Sequence, residues 1–167
     1  MRSEPIPLAD GTTLAAASGP EQAAALARVL DLPEGPVLAQ GAAARFQVDV
    51  YGPAERIVDL GSGSRVHLDG ITTEYGGVVG DAKLVTSSTS SSWYLPESLT
   101  SPAMRDLAQG QMDRTILRLS EAADALGGTK AIEITTNSLG SARVWEARMS
   151  ALGVPGYARI HPGGGIG

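Results

Sequence analysis

Residues 65–85 read RVHLDGITTEYGGVVGDAKLV, and the hairpin that this stretch forms sets the fold. Residues 65–72 and 78–85 are the two strongest strand candidates of the chain. Between them Thr73-Glu74-Tyr75-Gly76-Gly77 forms a hairpin loop, with glycine where a positive φ is needed. In a strand, residues i and i+2 share a face, so Asp81 and Lys83 project together. Folding the hairpin brings Asp69 alongside. If opposed residues have numbers with an even sum near about 152 (69 with 83, 71 with 81), all three side chains share one face. An odd sum separates them, unless a bulge intervenes.

Outward from the hairpin, residues 1–19 are rich in Pro, Gly and Ala without a clear period, and read as an arm or the remnant of a linker. Gly19-Pro20-Glu21 opens an Ala-rich helix to about Leu32, stopped by Pro33-Glu34-Gly35-Pro36. Residues 45–51 alternate and are expected as a strand, with a second short strand at 56–60. Residues 86–92 are a Ser/Thr-rich loop. Apolar residues recur at helical spacing over 101–126, ending at Gly127-Gly128, and a second amphipathic helix covers 138–152. Strands are expected at 131–136 and 157–160. A hairpin sheet followed by helical crossovers implies an α/β fold, a mixed central β-sheet flanked by helices. Residues 20–167 form one domain, with its core at about 44–160.

The chain has 167 residues, no cysteine and a net charge of −5. Disulfides, thiolate metal sites and thiol nucleophiles are thereby excluded. No apolar run is long enough to span a bilayer, and the first residues carry no signal-peptide h-region. The acidic balance does not mark a nucleic-acid binder. It is uneven, however: residues 1–100 carry six basic and twelve acidic side chains, residues 101–167 seven and six. A phosphate-contacting surface would draw on Arg105, Arg114, Arg118, Lys130, Arg143 and Arg148, and a bound cation would offset the acidic half.

Two carboxylates and a lysine converging on a partly buried face are costly to keep. Two carboxylates in close approach repel each other and favour a cation, and oxygen ligands with water in the remaining positions suit Mg²⁺ or Mn²⁺. Such an ion polarises a phosphodiester and activates bound water, while the lysine either orients that water or neutralises the transition state. His67 shares the face of Asp69 and is read as a partly exposed strand histidine, with a third ligand or proton shuttle as the alternative. Glu55 follows a Pro-Ala turn and is expected to be exposed. Asp113 and Arg118 are assigned to the surface. Trp93 and Trp145 are core anchors, or Trp93 stacks on a base. No P-loop or nucleophile elbow is present.

RFQVDVYG (45–52), VHLDG (66–70), VVGDAKLV (78–85) and QGQMDR (109–114) together resemble the restriction-endonuclease-fold toxin domains of bacterial polymorphic toxins, in the PD-(D/E)xK nuclease superfamily. In that pattern a strand bears Gln, a second strand ends in Asp-Gly, a third carries acid-x-Lys, and a helix follows with Gln and Arg. The resemblance implies Asp69 and Asp81 as metal ligands and Lys83 as the catalytic lysine. It implies Gln47 and Gln111 as supporting residues and Arg114 as a phosphate contact. Leu68 stands where the superfamily's name has proline, and Asp81 where glutamate is commoner. The expected function is a metal-dependent DNA endonuclease. The resemblance makes it the C-terminal toxin part of a larger secreted effector, acting in a target cell's cytoplasm and blocked by a cognate immunity protein. The rival readings are a catalytically inactive binding or assembly module, and a metal-independent hydrolase using the Asp69/Asp81 pair.

Overall fold

The computed structural model describes residues 4–86 and 93–162. In chain order its strands are β1 (Ile6–Pro7), β2 (Thr13–Leu14), β3 (Glu34–Pro36), β4 (Ala54–Asp59), β5 (Arg65–Leu68), β6 (Gly70–Thr72), β7 (Val78–Lys83), β8 (Ile132–Thr136) and β9 (Gly156–Ile160). The helices are α1 (Gly19–Asp31), α2 (Gly41–Tyr51), α3 (Pro102–Leu126) and α4 (Leu139–Leu152). The main sheet runs β6-β7-β8-β9, antiparallel at its first pair and parallel at the other two. An antiparallel sheet β3-β4-β5 stands beside it, and β1 pairs with β2 alone. The mixed α/β architecture expected from the sequence is therefore present. The Ser/Thr-rich loop falls, beyond Thr86, outside the described residues, as does the Gly163–Gly165 tail.

Caps fix the helix ends. Ser18 caps α1: its hydroxyl oxygen accepts from the Glu21 N–H at 3.3 Å, and the hydroxyl donates to the Glu21 carboxylate at 3.0 Å. Ser101 and Ser138 cap α3 and α4, and both helices end at glycines with positive φ, Gly127 and Gly153. No described helix is long and apolar enough to cross a membrane.

Two expectations are corrected. Residues 45–51 are the last two turns of α2, not a strand. The alternation of Phe46, Val48 and Val50 misleads, because Val48 faces solvent while the buried pair is Phe46 and Gln47. The preceding Ala42-Ala43-Ala44 favours helix, and Gly52 with φ 93° before Pro53 stops it. The hairpin's first strand is also divided. β5 pairs with β4 in the smaller sheet, β6 with β7 in the main one, and Asp69 is the residue between. The observed register pairs Gly70 with Gly80 and Ile71 with Val79, so opposed numbers sum to an even value and the parity condition is met.

One face of the main sheet buries Val79, Ile132 and Ile134 in a common core with Met112 and Ile116 of α3 and Trp145 and Met149 of α4. The opposite face carries a buried acid, Glu133, 1% exposed. Its carboxylate accepts from the hydroxyls of Tyr51 at 2.6 Å and Tyr157 at 2.5 Å, with Arg159 at 3.6 Å. Burial, and then the Glu133 charge, hold both tyrosines well above the ordinary phenol value, so they remain donors. Tyr51 reaches Glu133 by lying across Gly70 and Gly80. A β-carbon on Gly70 would stand 2.3 Å from the Tyr51 ring, and one on Gly80 2.3 Å from its hydroxyl oxygen. The glycine of the Asp69-Gly70 step thus has a packing reason.

Gly80→Ala is expected to destabilise the protein by about 2 kcal/mol or more, since the added methyl meets a ring fixed from both sides. Urea unfolding measures it, and a Gly80→Ala protein as stable as the parent would exclude this packing.

Candidate active site

β7 presents Asp81 and Lys83 on one face by their spacing. The Lys83 ammonium lies 2.9 Å from Asp81 Oδ2, with both side chains less than one-fifth exposed. Asp69, at the point where the chain passes between sheets, turns its carboxylate to the same place. Its Oδ2 accepts from the backbone N–H of Ala82 at 2.8 Å, and it shares a hydrogen bond with the Asp81 carboxyl. The three residues line one cavity of about 440 Å³. The expected convergence of Asp69, Asp81 and Lys83 is the arrangement found.

The electrostatics are unequal. Burial first, then the Asp81 charge and the hydrogen bond to it, push the Asp69 carboxyl up to about 9. Asp81 is buried too, but the Lys83 ammonium and the hydrogen bonds outweigh that and hold its carboxyl below the ordinary value. Burial alone would lower the Lys83 ammonium; Asp81, Tyr94 and Asp69 more than reverse this. Without a metal ion the pair therefore carries a proton at neutral pH, on the Asp69 side.

The donor set suits a hard divalent cation that keeps much of its water. Two carboxylates converge, and among the described residues no group of three His, Asp or Glu side chains is placed to hold an ion. Glu55 stands apart in the same cavity. It is 3% exposed, accepts from the Leu38 N–H at 2.6 Å and faces His67 Nδ1 at 4.0 Å. The expectation of an exposed Glu55 is thus corrected: β4 turns it inward beneath the chain at Leu38. His67 also lines the cavity, with about one-third of its side chain exposed.

The other expected residues divide. Gln47, on α2, is buried against the cavity, and among the described residues its amide nitrogen has no hydrogen-bond partner. Gln111 lines a smaller adjoining cavity that also reaches Lys83 and Trp93. Arg114 lines neither cavity; Arg118, assigned to the surface from sequence, lines the larger one. Asp113 is not a free surface charge either, since it makes a two-pronged pair with Arg148 of α4, both contacts at 2.8 Å. Trp145 is a core anchor at 1% exposure, whereas Trp93 is 41% exposed. His161 finds an edge-on contact with Phe46, with ring centroids 5.7 Å apart.

A model of the family Tox-REase-2, described as restriction endonuclease fold toxin 2, matches residues 42–155. That span includes Gln47, Asp69, Asp81, Lys83, Gln111 and Arg114. No curated protein and no solved structure matches the chain.

The protonated Asp69 fixes the sign of a pH effect in metal-free protein. Its folded value is raised, so the folded state holds a proton that the unfolded chain releases above about 4. Its contribution therefore turns unfavourable as pH rises from about 4 to about 9, and levels off above. Asp69→Asn, which imitates the protonated form, is expected to raise the Tm at pH 8 in chelator by at least about 3 °C, and by less at pH 5. Thermal unfolding at the two pH values checks this; an unchanged or lowered Tm at pH 8 would refute the shared proton.

Proposed function

We propose, from the premise that the chain belongs to the restriction endonuclease fold toxin 2 family, that it is a metal-dependent endonuclease hydrolysing the phosphodiester bonds of DNA. The observation that carries this is the meeting of Asp69, Asp81 and Lys83 in one cavity within the matched segment. Asp69 and Asp81 would hold Mg²⁺ or Mn²⁺. When bound, the ion supplies Lewis-acid polarisation of the phosphate and a more acidic water.

The chain's own residues fill the remaining tasks. Lys83 keeps its proton, since Asp81 holds its ammonium above the ordinary lysine value. It would serve as a hydrogen-bond donor and positive charge toward the developing phosphorane-like anion. Gln47 brings an amide with a spare donor to the cavity wall. Gln111 of α3 lines the smaller cavity beside Lys83, where it would be a supporting polar group. The biological role we infer is that of the toxin part of a larger secreted antibacterial effector, acting in the cytoplasm of a target cell. A cognate immunity protein would protect the producer. With a net charge of −5 on the chain, that contact depends on local complementarity rather than bulk charge.

Nicking of supercoiled plasmid tests the reading. Cleavage is expected with Mg²⁺ or Mn²⁺ and not in chelator, with RNA of matched length a poorer substrate. Lys83→Ala and Asp81→Asn should each lose at least about a hundredfold in rate. A Lys83→Ala protein as active as the parent would sink the catalytic assignment. Binding of DNA without cleavage would leave the inactive binding module standing. Because Asp69 would have to give up its proton to serve as a ligand, Mg²⁺ is expected to raise the Tm more at pH 8 than at pH 6. The reverse order would count against Asp69 as a ligand.

A further inference from the structure

Three carboxylates line the larger cavity, Asp69, Asp81 and Glu55, and an anionic substrate must enter against them. Lys83 offers little net attraction at distance, because Asp81 neutralises it at 2.9 Å. Among the described residues, the other cation on the lining is Arg118 of α3. Its situation differs from that of the chain's paired arginines. Arg56 is paired with Glu34, Arg65 with Asp59, Arg148 with Asp113 and Arg159 with Glu133. Among the described residues, Arg118 has no ion-pair or hydrogen-bond partner.

Helix geometry explains why Arg118 and not Arg114 is at the cavity. Gln111, Thr115 and Arg118 are spaced i, i+4, i+7 and form one stripe along α3. Gln111 and Thr115 border the smaller cavity beside Lys83, and Thr115 and Arg118 border the larger. Arg114 lies off this stripe, and its guanidinium folds back over its own helix, where a β-carbon on Gly110 would meet its Nη1 at 3.7 Å.

We infer that Arg118 is the phosphate-binding cation of this site, a positioning residue that holds the substrate backbone across the cavity from Asp69 and Asp81. The guanidinium offers two parallel donors to phosphate oxygens, a geometry that lysine lacks. The inference rests on the nuclease reading and assigns Arg118 the contact that the sequence pattern gave to Arg114.

The test is fluorescence anisotropy with a labelled DNA duplex in chelator over a range of salt, run beside Mg²⁺-dependent cleavage. Arg118→Ala is expected to weaken binding by about tenfold or more. The slope of log affinity against log salt should become shallower by about one. In the cleavage assay KM should rise more than kcat falls, and Arg118→Lys should restore the salt slope but only part of the affinity. Arg65→Ala, an equal loss of charge at an exposed pair with Asp59 away from both cavities, should change neither slope nor KM. The exposure of Arg118 makes misfolding an unsuitable explanation, and an unchanged Tm verifies that. Wild-type slope and KM in Arg118→Ala, or a larger effect from Arg114→Ala, overturns the inference while cleavage by the parent leaves the nuclease reading intact. A parent protein that neither binds nor cuts DNA defeats the nuclease reading and this inference with it.

Discussion

The hydrogen bond from the Ala82 N–H to the Asp69 carboxylate is the contact on which the site depends. β6 is only three residues long, so its ladder with β7 stops at Gly70–Gly80 and the chain departs toward the smaller sheet. Beyond that pair a side-chain oxygen of Asp69 serves the β7 backbone where a strand neighbour's carbonyl would otherwise stand. The same bond brings Asp69 to Asp81. The change of sheet and the convergence of two buried acids are therefore one event, and neither can be altered without the other.

The two buried acidic centres differ in how their charge is met. Glu133 is enclosed by two tyrosine hydroxyls that remain donors, with a guanidinium at its edge, and its burial is compensated within the fold. Asp69 and Asp81 face each other with one backbone N–H and one ammonium between them, which leaves a proton to be held or exchanged. Burial alone ranks Glu133 above the aspartates as a candidate. The supply of hydrogen-bond donors reverses the order.

Much of this was legible from the residues. The spacing of Asp81 and Lys83 sufficed to place them together, whereas the hairpin's parity stayed open in the residues and the register of β6 on β7 makes it even. Secondary structure after residue 100 follows its apolar period closely, since caps and glycines mark each end. The failures have physical causes. Residues 45–51 satisfy a two-residue period by coincidence, and the decisive signal was the alanine run before them. Glu55 appeared exposed because a Pro-Ala turn precedes it; only the pairing of β4 with β3 shows that Leu38 covers it. Arg118 and Arg114 are four residues apart on one helix, and only with α3 set against the sheet is it visible that Arg118 borders the larger cavity and Arg114 does not. A period identifies a face, but not what that face meets.

The packing of Tyr51 across Gly70 and Gly80 restricts the order in which this domain can change in evolution. Three elements, α2, β6 and β7, meet at one ring, and each glycine is too close to accept even a methyl while that ring is present. A lineage can reach a larger residue at position 70 or 80 only by first reducing the side chain at 51. That step leaves Glu133 short of a donor. The route is one-way and its first step is costly, so these three positions should drift as a linked set, on a slower clock than the surface around them.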